Sequence, residues 1–306
     1  MTAIELDGVT KRYGDVVAVR DLSLEVEEGE VYGFLGPNGA GKSTTINMVL
    51  DFVRPTEGEV RVLGHDAQDE SVAIRERIGV LPEGFSVYDR LTGRQHLEFA
   101  IESKQADADP DAILERVGLD GDGDRKAGGY SKGMAQRLVL GMSLVGDPDL
   151  LILDEPSTGL DPNGARQMRE IVREEADRGA TVFFSSHILG QVEAVCDRVG
   201  ILRDGQLVAE DSIEGLRETT SADTVLRVTV GEVPDQAVAQ VAGIEGVSEV
   251  ARDEDVLRIS CESDVKTTVL STLEDAGAEV RDFETEEASL EDLFVAYTTD
   301  EREVTV

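Results

Sequence analysis

The run Gly36-Pro37-Asn38-Gly39-Ala40-Gly41-Lys42-Ser43-Thr44 constrains this chain more than any other feature. It fits the GxxxxGK[ST] pattern. A short apolar run, Val31 to Leu35, precedes it, and a helical pattern from about Lys42 to Phe52 follows and stops before Pro55. Glycines let such a loop curl until several backbone N–H groups point inward. The helix that begins at Lys42 adds its partial positive charge to the same spot. Lys42 is then expected to reach the β- and γ-phosphates of a nucleotide, and the Ser43 hydroxyl to ligate Mg²⁺.

A second segment completes that chemistry. Leu150-Leu151-Ile152-Leu153-Asp154-Glu155 is an apolar strand that delivers carboxylates at its end, where parallel sheets bind their ligands. Asp154 is expected to hold Mg²⁺, directly or through water, and Glu155 to orient or deprotonate an attacking water. Around these segments, short apolar runs at Val60–Leu63, Ile78–Leu81, Thr181–Ser185 and Val199–Leu202 alternate with helical patterns at Met134–Val145, Gly164–Arg178 and Leu189–Cys196. That alternation predicts an α/β domain with a largely parallel core sheet. The opening stretches Ile4–Val9 and Val16–Val26 alternate apolar and polar residues around a Gly14-Asp15 turn and predict an antiparallel β portion. The stretch from Glu83 to about Gly129 predicts a mostly helical insertion.

Composition narrows the partners. The net charge is −35 over 306 residues, and lysine occurs only at 11, 42, 104, 126, 132 and 266. A surface this acidic repels itself at low salt, and the repulsion largely vanishes when molar salt shortens the screening length to ~3 Å. The composition therefore points to a salt-rich cytoplasm, as in a halophile. It argues against a nucleic-acid backbone as partner, which needs a basic footprint. Cys196 and Cys261 lie far apart in no zinc or redox pattern. No apolar run approaches the ~18 residues of a membrane span. MTAIELDG has no secretory pattern, so a cytoplasmic protein is expected.

Taken in order, these motifs resemble the ATP-binding subunits of ATP-binding-cassette transporters over about Ile4 to Ile213. Tyr13 falls where that family has an aromatic that stacks on adenine. Tyr130-Ser131-Lys132-Gly133-Met134 occupies the signature position, LSGGQ in its usual form, and retains Ser131 and Gly133. Ser131 is expected to cap the following helix, whose start is an anion site. Ser157 to Asp161 resembles the loop that crosses the family's dimer interface. His187, after Phe183-Phe184-Ser185-Ser186, matches the γ-phosphate-sensing histidine. At the mouth of the insertion the family usually has a glutamine that ligates Mg²⁺. Here Leu81-Pro82-Glu83-Gly84 puts Glu83 in its place, and a carboxylate also ligates Mg²⁺.

The resemblance implies a cassette domain over 1–218, with antiparallel β and helical subdomains and the helical insertion at about 83–146. It implies ATP and Mg²⁺ as cofactors and a homodimer or paired cassette in which Ser131 and Gly133 of one chain face the phosphate loop of another. It also implies a polytopic membrane permease as partner, and hence a peripheral place on the inner face of the membrane. The Pro82–Gly93 loop and the Ser289–Phe294 ending resemble the branch that serves drug- and lipid-type exporters. Soluble cassettes acting on ribosomes or DNA are the alternative. Residues 222–306 predict a separate small domain. Its strand and helix patterns run βαββαβ, as in ferredoxin-like folds.

Overall fold

The computed structural model describes residues 1–219, 224–231, 233–253, 255–262, 265–286 and 289–298. The chain divides into two compact units, Met1–Ile213 and Glu214–Val306.

The first unit opens with β1 (Thr2–Tyr13), β2 (Val16–Glu27) and β3 (Val31–Leu35), then α1 (Lys42–Val49). β4 (Glu57–Val62), β5 (His65–Asp66), α2 (Ser71–Arg77) and β6 (Ile78–Leu81) follow. The insertion holds α3 (Gly93–Lys104), α4 (Pro110–Arg116), a 3₁₀ turn at Ala127–Gly129 and α5 (Lys132–Ser143). The unit continues through β7 (Leu150–Asp154), α6 (Pro162–Asp177), β8 (Thr181–Ser185), α7 (Leu189–Glu193), β9 (Arg198–Arg203) and β10 (Gln206–Ser212).

Two sheets share these strands. One is antiparallel, in the order β2-β1-β4-β5. The other has the order β10-β9-β3-β8-β7-β6, parallel throughout except where β10 pairs with β9. β3, β7 and β8 are buried at every position, which explains why they read as unbroken apolar runs rather than alternating ones. The core joins the two sheets: Leu6, Leu24 and Val60 of the antiparallel sheet pack in one cluster with Tyr32, Phe34, Ile152 and Phe183 of the parallel one and with Ile46 and Met48 of α1. Tyr32 and Phe183 stack with ring centroids 5.8 Å apart. Helix α1, and with it the phosphate loop, is thereby fixed between two sheets.

Several sequence expectations need correction. α1 ends at Val49, and Asp51 turns left-handed at φ +54°, so the helix stops short of Phe52. β1 runs on to Tyr13 instead of ending at Val9, because its outer half pairs with β2 through a series of bulges. Helix α2 has only Ile74 buried, so its apolar stripe was too narrow to read. α7 is shorter than its pattern.

The insertion is tied to the α/β body by charge. Glu175 of α6 is 2% exposed and accepts from Arg116 of α4 at 2.8 Å and from Arg178 at 2.6 Å. Arg178 also donates to the Pro148 carbonyl. Gln167 of α6 donates to the Arg116 carbonyl, and Arg137 of α5 to that of Gly118, so the end of α4 is held from two helices.

The second unit starts with the rest of α8 (Ile213–Thr219) and then runs β11 (Thr224–Val230), α9 (Asp235–Val241), β12 (Val247–Asp253), β13 (Val256–Cys261), α10 (Lys266–Asp275), β14 (Val280–Glu286) and α11 (Leu290–Thr298). Its sheet is antiparallel in the order β12-β13-β11-β14, the ferredoxin-like arrangement the sequence order predicts. Leu226, Val228, Leu257 and Ile259 pack against Ala237 and Val241 of α9 and Val269 and Leu273 of α10. Cys261 is buried in that core, and Cys196 is partly buried in the first unit.

Replacing Glu175 with alanine leaves two guanidinium groups without their shared carboxylate. With both arginines about one-third exposed, the expected cost is about 3 kcal/mol, at the low end for a broken buried pair. Urea unfolding of Glu175→Ala checks this.

Candidate functional site

The site begins where β3 hands the chain to α1. Gly41 is the N-cap of α1, at φ +109°, and no side chain caps the helix. The first N–H groups of α1 therefore point out of the helix with no side-chain acceptor, which makes them donors for an anion. A Cβ on Gly41 would lie 2.6 Å from the Ala18 carbonyl oxygen, so only glycine lets the loop pass this close to β2.

Lys42 is 9% exposed and donates to the Gly36 carbonyl at 2.6 Å and to that of Pro37 at 3.3 Å. Its ammonium spans the loop from within. Burial pulls the Lys42 pKa down, opposed by the negative charges of Glu155, Asp154 and Glu83. A cleft of about 260 Å³ opens over the loop, lined by Asn38, Gly39, Gly41, Lys42, Ser43, Thr44, Glu83, Asp154 and Glu155, together with Ala18. Six of the expected phosphate-loop residues and the three acids, from segments far apart in the chain, thus meet in one cavity, whereas Gly36, Pro37 and Ala40 do not line it.

Asp154 ends β7 and is held by the Ser185 hydroxyl, which donates to its Oδ1. Burial raises the Asp154 pKa, and the neighbouring charges of Glu83 and Glu155 push the same way, while the Ser185 bond opposes them. Glu155 turns into the left-handed region at φ +50°, unusual for a non-glycine residue. Its N–H donates to the Ser185 carbonyl at 3.0 Å, and its Oε2 lies 2.7 Å from His187 Nδ1. A carboxylate only accepts, so Nδ1 carries the proton of that bond.

Ser131 and Gly133 stand apart from this cleft. Ser131 caps α5 by accepting from the Met134 N–H at 3.2 Å, as its sequence position predicts, and it is exposed. Gly133 lies against the neighbouring loop, where a Cβ would meet the Gly159 carbonyl oxygen at 2.9 Å. Tyr13, at the end of β1, is 49% exposed, carries the Lys11 ammonium 5.0 Å from its ring centroid, and does not line the cleft.

Two residues escaped the sequence reading. Ser185 is a hydroxyl at the end of a buried strand beside the strand of Asp154, and strand adjacency is the signal that would have found it. Gln136 is a polar residue on the buried face of α5, 4% exposed.

For Mg²⁺, the available donors are oxygens of Ser43, Asp154 and Glu83. Among the described residues no group of three or more acidic, histidine or cysteine side chains forms a cage. Such an open set of hard oxygens fits Mg²⁺, which keeps waters and is bound by few carboxylates plus substrate phosphates.

A parallel sheet with an uncapped helix start after its central strand β3, and two acids at the end of β7 with only β8 between, defines a phosphate-loop nucleotide hydrolase. Residues 19–158 match the ABC transporter family, and residues 212–298 match the C-terminal domain of DrrA1-3-like ATP-binding proteins. The chain is 35% identical to the daunorubicin resistance ATP-binding protein DrrA3 of Streptomyces coeruleorubidus, covering 99% of this chain and 98% of that protein. It is 40% identical to the bacitracin transport ATP-binding protein BcrA of Bacillus licheniformis, over 71% of this chain and 72% of that protein. Among solved structures, an ATP-binding subunit of an ABC transporter superposes with TM-score 0.66 at 28% identity, covering 71% of this chain and 93% of its own. A dimeric cassette in a post-hydrolysis state with ADP and Pi superposes with TM-score 0.64 at 25% identity, over 69% of this chain and 98% of its own. The chain belongs to the ABC transporter family as an ATP-binding subunit. It is the ATP-hydrolysing component of a transport system, and the ribosome- or DNA-directed alternative is not favoured.

Gly41→Ala forces both a positive φ and a backbone clash. Strain of ~1–3 kcal/mol at the loop is expected to lower affinity by about 5- to 150-fold. Titration with a fluorescent ATP analogue is expected to show that loss while the far-ultraviolet circular dichroism stays unchanged.

Proposed function

We propose that this chain powers export of a drug-like or lipid-like compound through a separate membrane permease, working as a head-to-tail cassette dimer. The observation that carries the dimer is the separation of half-sites. Glu155 and Lys42 line one cleft, with His187 bonded to Glu155, while Ser131 and Gly133 at the capped start of α5 are not among its lining residues. A second chain's α5 supplies the missing donors to the γ-phosphate.

In this reading the phosphate-loop amides and Lys42 hold the β- and γ-phosphates, Ser43, Asp154 and Glu83 hold Mg²⁺, and Tyr13 stacks on adenine. Bound Mg²⁺ supplies neutralisation of charge on the phosphate oxygens. Glu155 accepts the proton of the attacking water. His187, with Nδ1 on Glu155, keeps that carboxylate aimed and offers Nε2 to the γ-phosphate when doubly protonated. Closure of the dimer excludes water other than the nucleophile.

An apolar groove of about 460 Å³ supports the permease reading. It runs between the segment after α1, β6 and the insertion, and its lining includes Phe52, Tyr88 and Phe99, which are 63%, 67% and 58% exposed. A helix of an apolar partner suits such a groove. Among the described residues no helix of this chain is long and apolar enough to cross a membrane. The exporter assignment is supported by the relatives named for daunorubicin resistance and bacitracin transport, and the inner-face location follows from the permease.

The test uses tagged Glu155→Gln with MgATP. Turnover is expected to fall ~10²–10³-fold, and light scattering is expected to show a dimer that requires ATP. Pull-down from native membranes then recovers a polytopic protein, and altering residues 83–93 abolishes the recovery. Wild-type turnover, or capture of ribosomal proteins alone, defeats the reading.

The acidic surface, at net −35, is matched in this proposal to molar salt. Raising KCl to where the screening length is ~3 Å is expected to raise the melting temperature, and an unchanged melting temperature removes the salt-adapted reading.

A further inference from the structure

Glu155 holds an unfavourable backbone conformation, and its peptide is gripped on both sides. On the amino side its N–H is bound to the end of β8 at Ser185. On the carboxyl side the grip comes from the insertion. Gln136 Nε2 donates to the Glu155 carbonyl at 3.3 Å and to the Pro156 carbonyl at 2.9 Å, so one buried amide nitrogen serves two successive carbonyls after β7. Thr158 N–H also reaches the Glu155 carbonyl, at 3.1 Å.

Gln136 sits on the same helix as Ser131 and Gly133, little more than one turn from the cap. That first turn is itself packed on the loop after Pro156, through Gly133 against Gly159. The start of α5 and the segment Glu155–Gly159 are thus held together at two points, one by van der Waals contact and one by the Gln136 amide. Any displacement of α5 is passed to the peptide that aims the Glu155 carboxylate.

We infer that Gln136 is a positioning residue for Glu155: its amide fixes the Glu155–Pro156 peptides and couples the orientation of the carboxylate to the position of α5. This rests on the reading of Glu155 as the acceptor of the water's proton. Gln136 is not among the residues lining the phosphate-loop cleft, so its loss is expected to act on the chemical step and to leave ground-state binding alone. A methionine has nearly the same shape and no donor, and removes only the two hydrogen bonds.

The experiment measures ATP turnover and fluorescent-nucleotide affinity of the full chain as wild type, Gln136→Met, Glu155→Gln and the double variant. The expected result for Gln136→Met is a kcat lower by ~10- to 100-fold, the effect of a misplacement near 1 Å. KM and nucleotide affinity are expected to stay within about twofold, the pattern of a lost transition-state contribution. The double variant is expected to match Glu155→Gln alone. Gln136→Asn keeps the amide but is one methylene too short, and it carries the same expectation should the methionine variant fail to fold.

Wild-type kcat in the folded variants overturns the proposal. So does a loss of affinity and kcat by the same factor with full additivity on Glu155→Gln, which marks a packing role. Wild-type turnover in Glu155→Gln overturns the underlying assignment of Glu155 itself, and that outcome is read from a different variant.

Discussion

The structure depends on donors that no side chain satisfies. Helix α1 starts after Gly41 without a side-chain cap, within the first unit, with both sheets of that unit packed around it. Exposed helix-start amides at such a place attract negative charge. Yet the opposite wall of the same cleft carries Glu83, Asp154 and Glu155. In the proposed reading, phosphate on the amides and a divalent cation held by the acids would balance the two walls. In the free chain Lys42 stands between them, buried and bound to loop carbonyls, and burial is the largest influence on its charge state.

Much of this was legible in the residues. The phosphate loop and the end of β7 are local patterns whose spacing encodes their geometry, and the parallel sheet follows from buried strands that lack alternation. The ferredoxin-like order of the second unit was also readable, because each strand and helix there keeps a clean period. What stayed hidden was contact between distant segments. Nothing near Ser185 says that its hydroxyl lies against Asp154, since only the pairing of β7 with β8 makes them neighbours. Gln136 reads as an ordinary polar helix position until the insertion folds back over Glu155. Helix α2 was missed because one buried isoleucine is too little pattern to see.

The insertion meets the α/β body through contacts of different character. At α5 they are backbone-close and short-range, with glycine against carbonyl and amide against carbonyl. At α4 the principal contact is ionic, with one buried carboxylate shared by two arginines, beside the Gln167 bond to the Arg116 carbonyl. The first kind permits no play, whereas the second tolerates small rotation because charge attraction falls off slowly with distance.

The shared carboxylate has a consequence for a chain whose surface charge is so one-sided. Dissolved ions weaken forces that pass through solvent far more than forces that pass through protein. Glu175 is sealed from water while its two arginines are about one-third exposed, so its attachment of α4 to α6 changes less with the medium than repulsion among the outer acids does. The joint between insertion and body is therefore partly shielded from the ionic environment, and its strength is set more by the chain than by the cell around it.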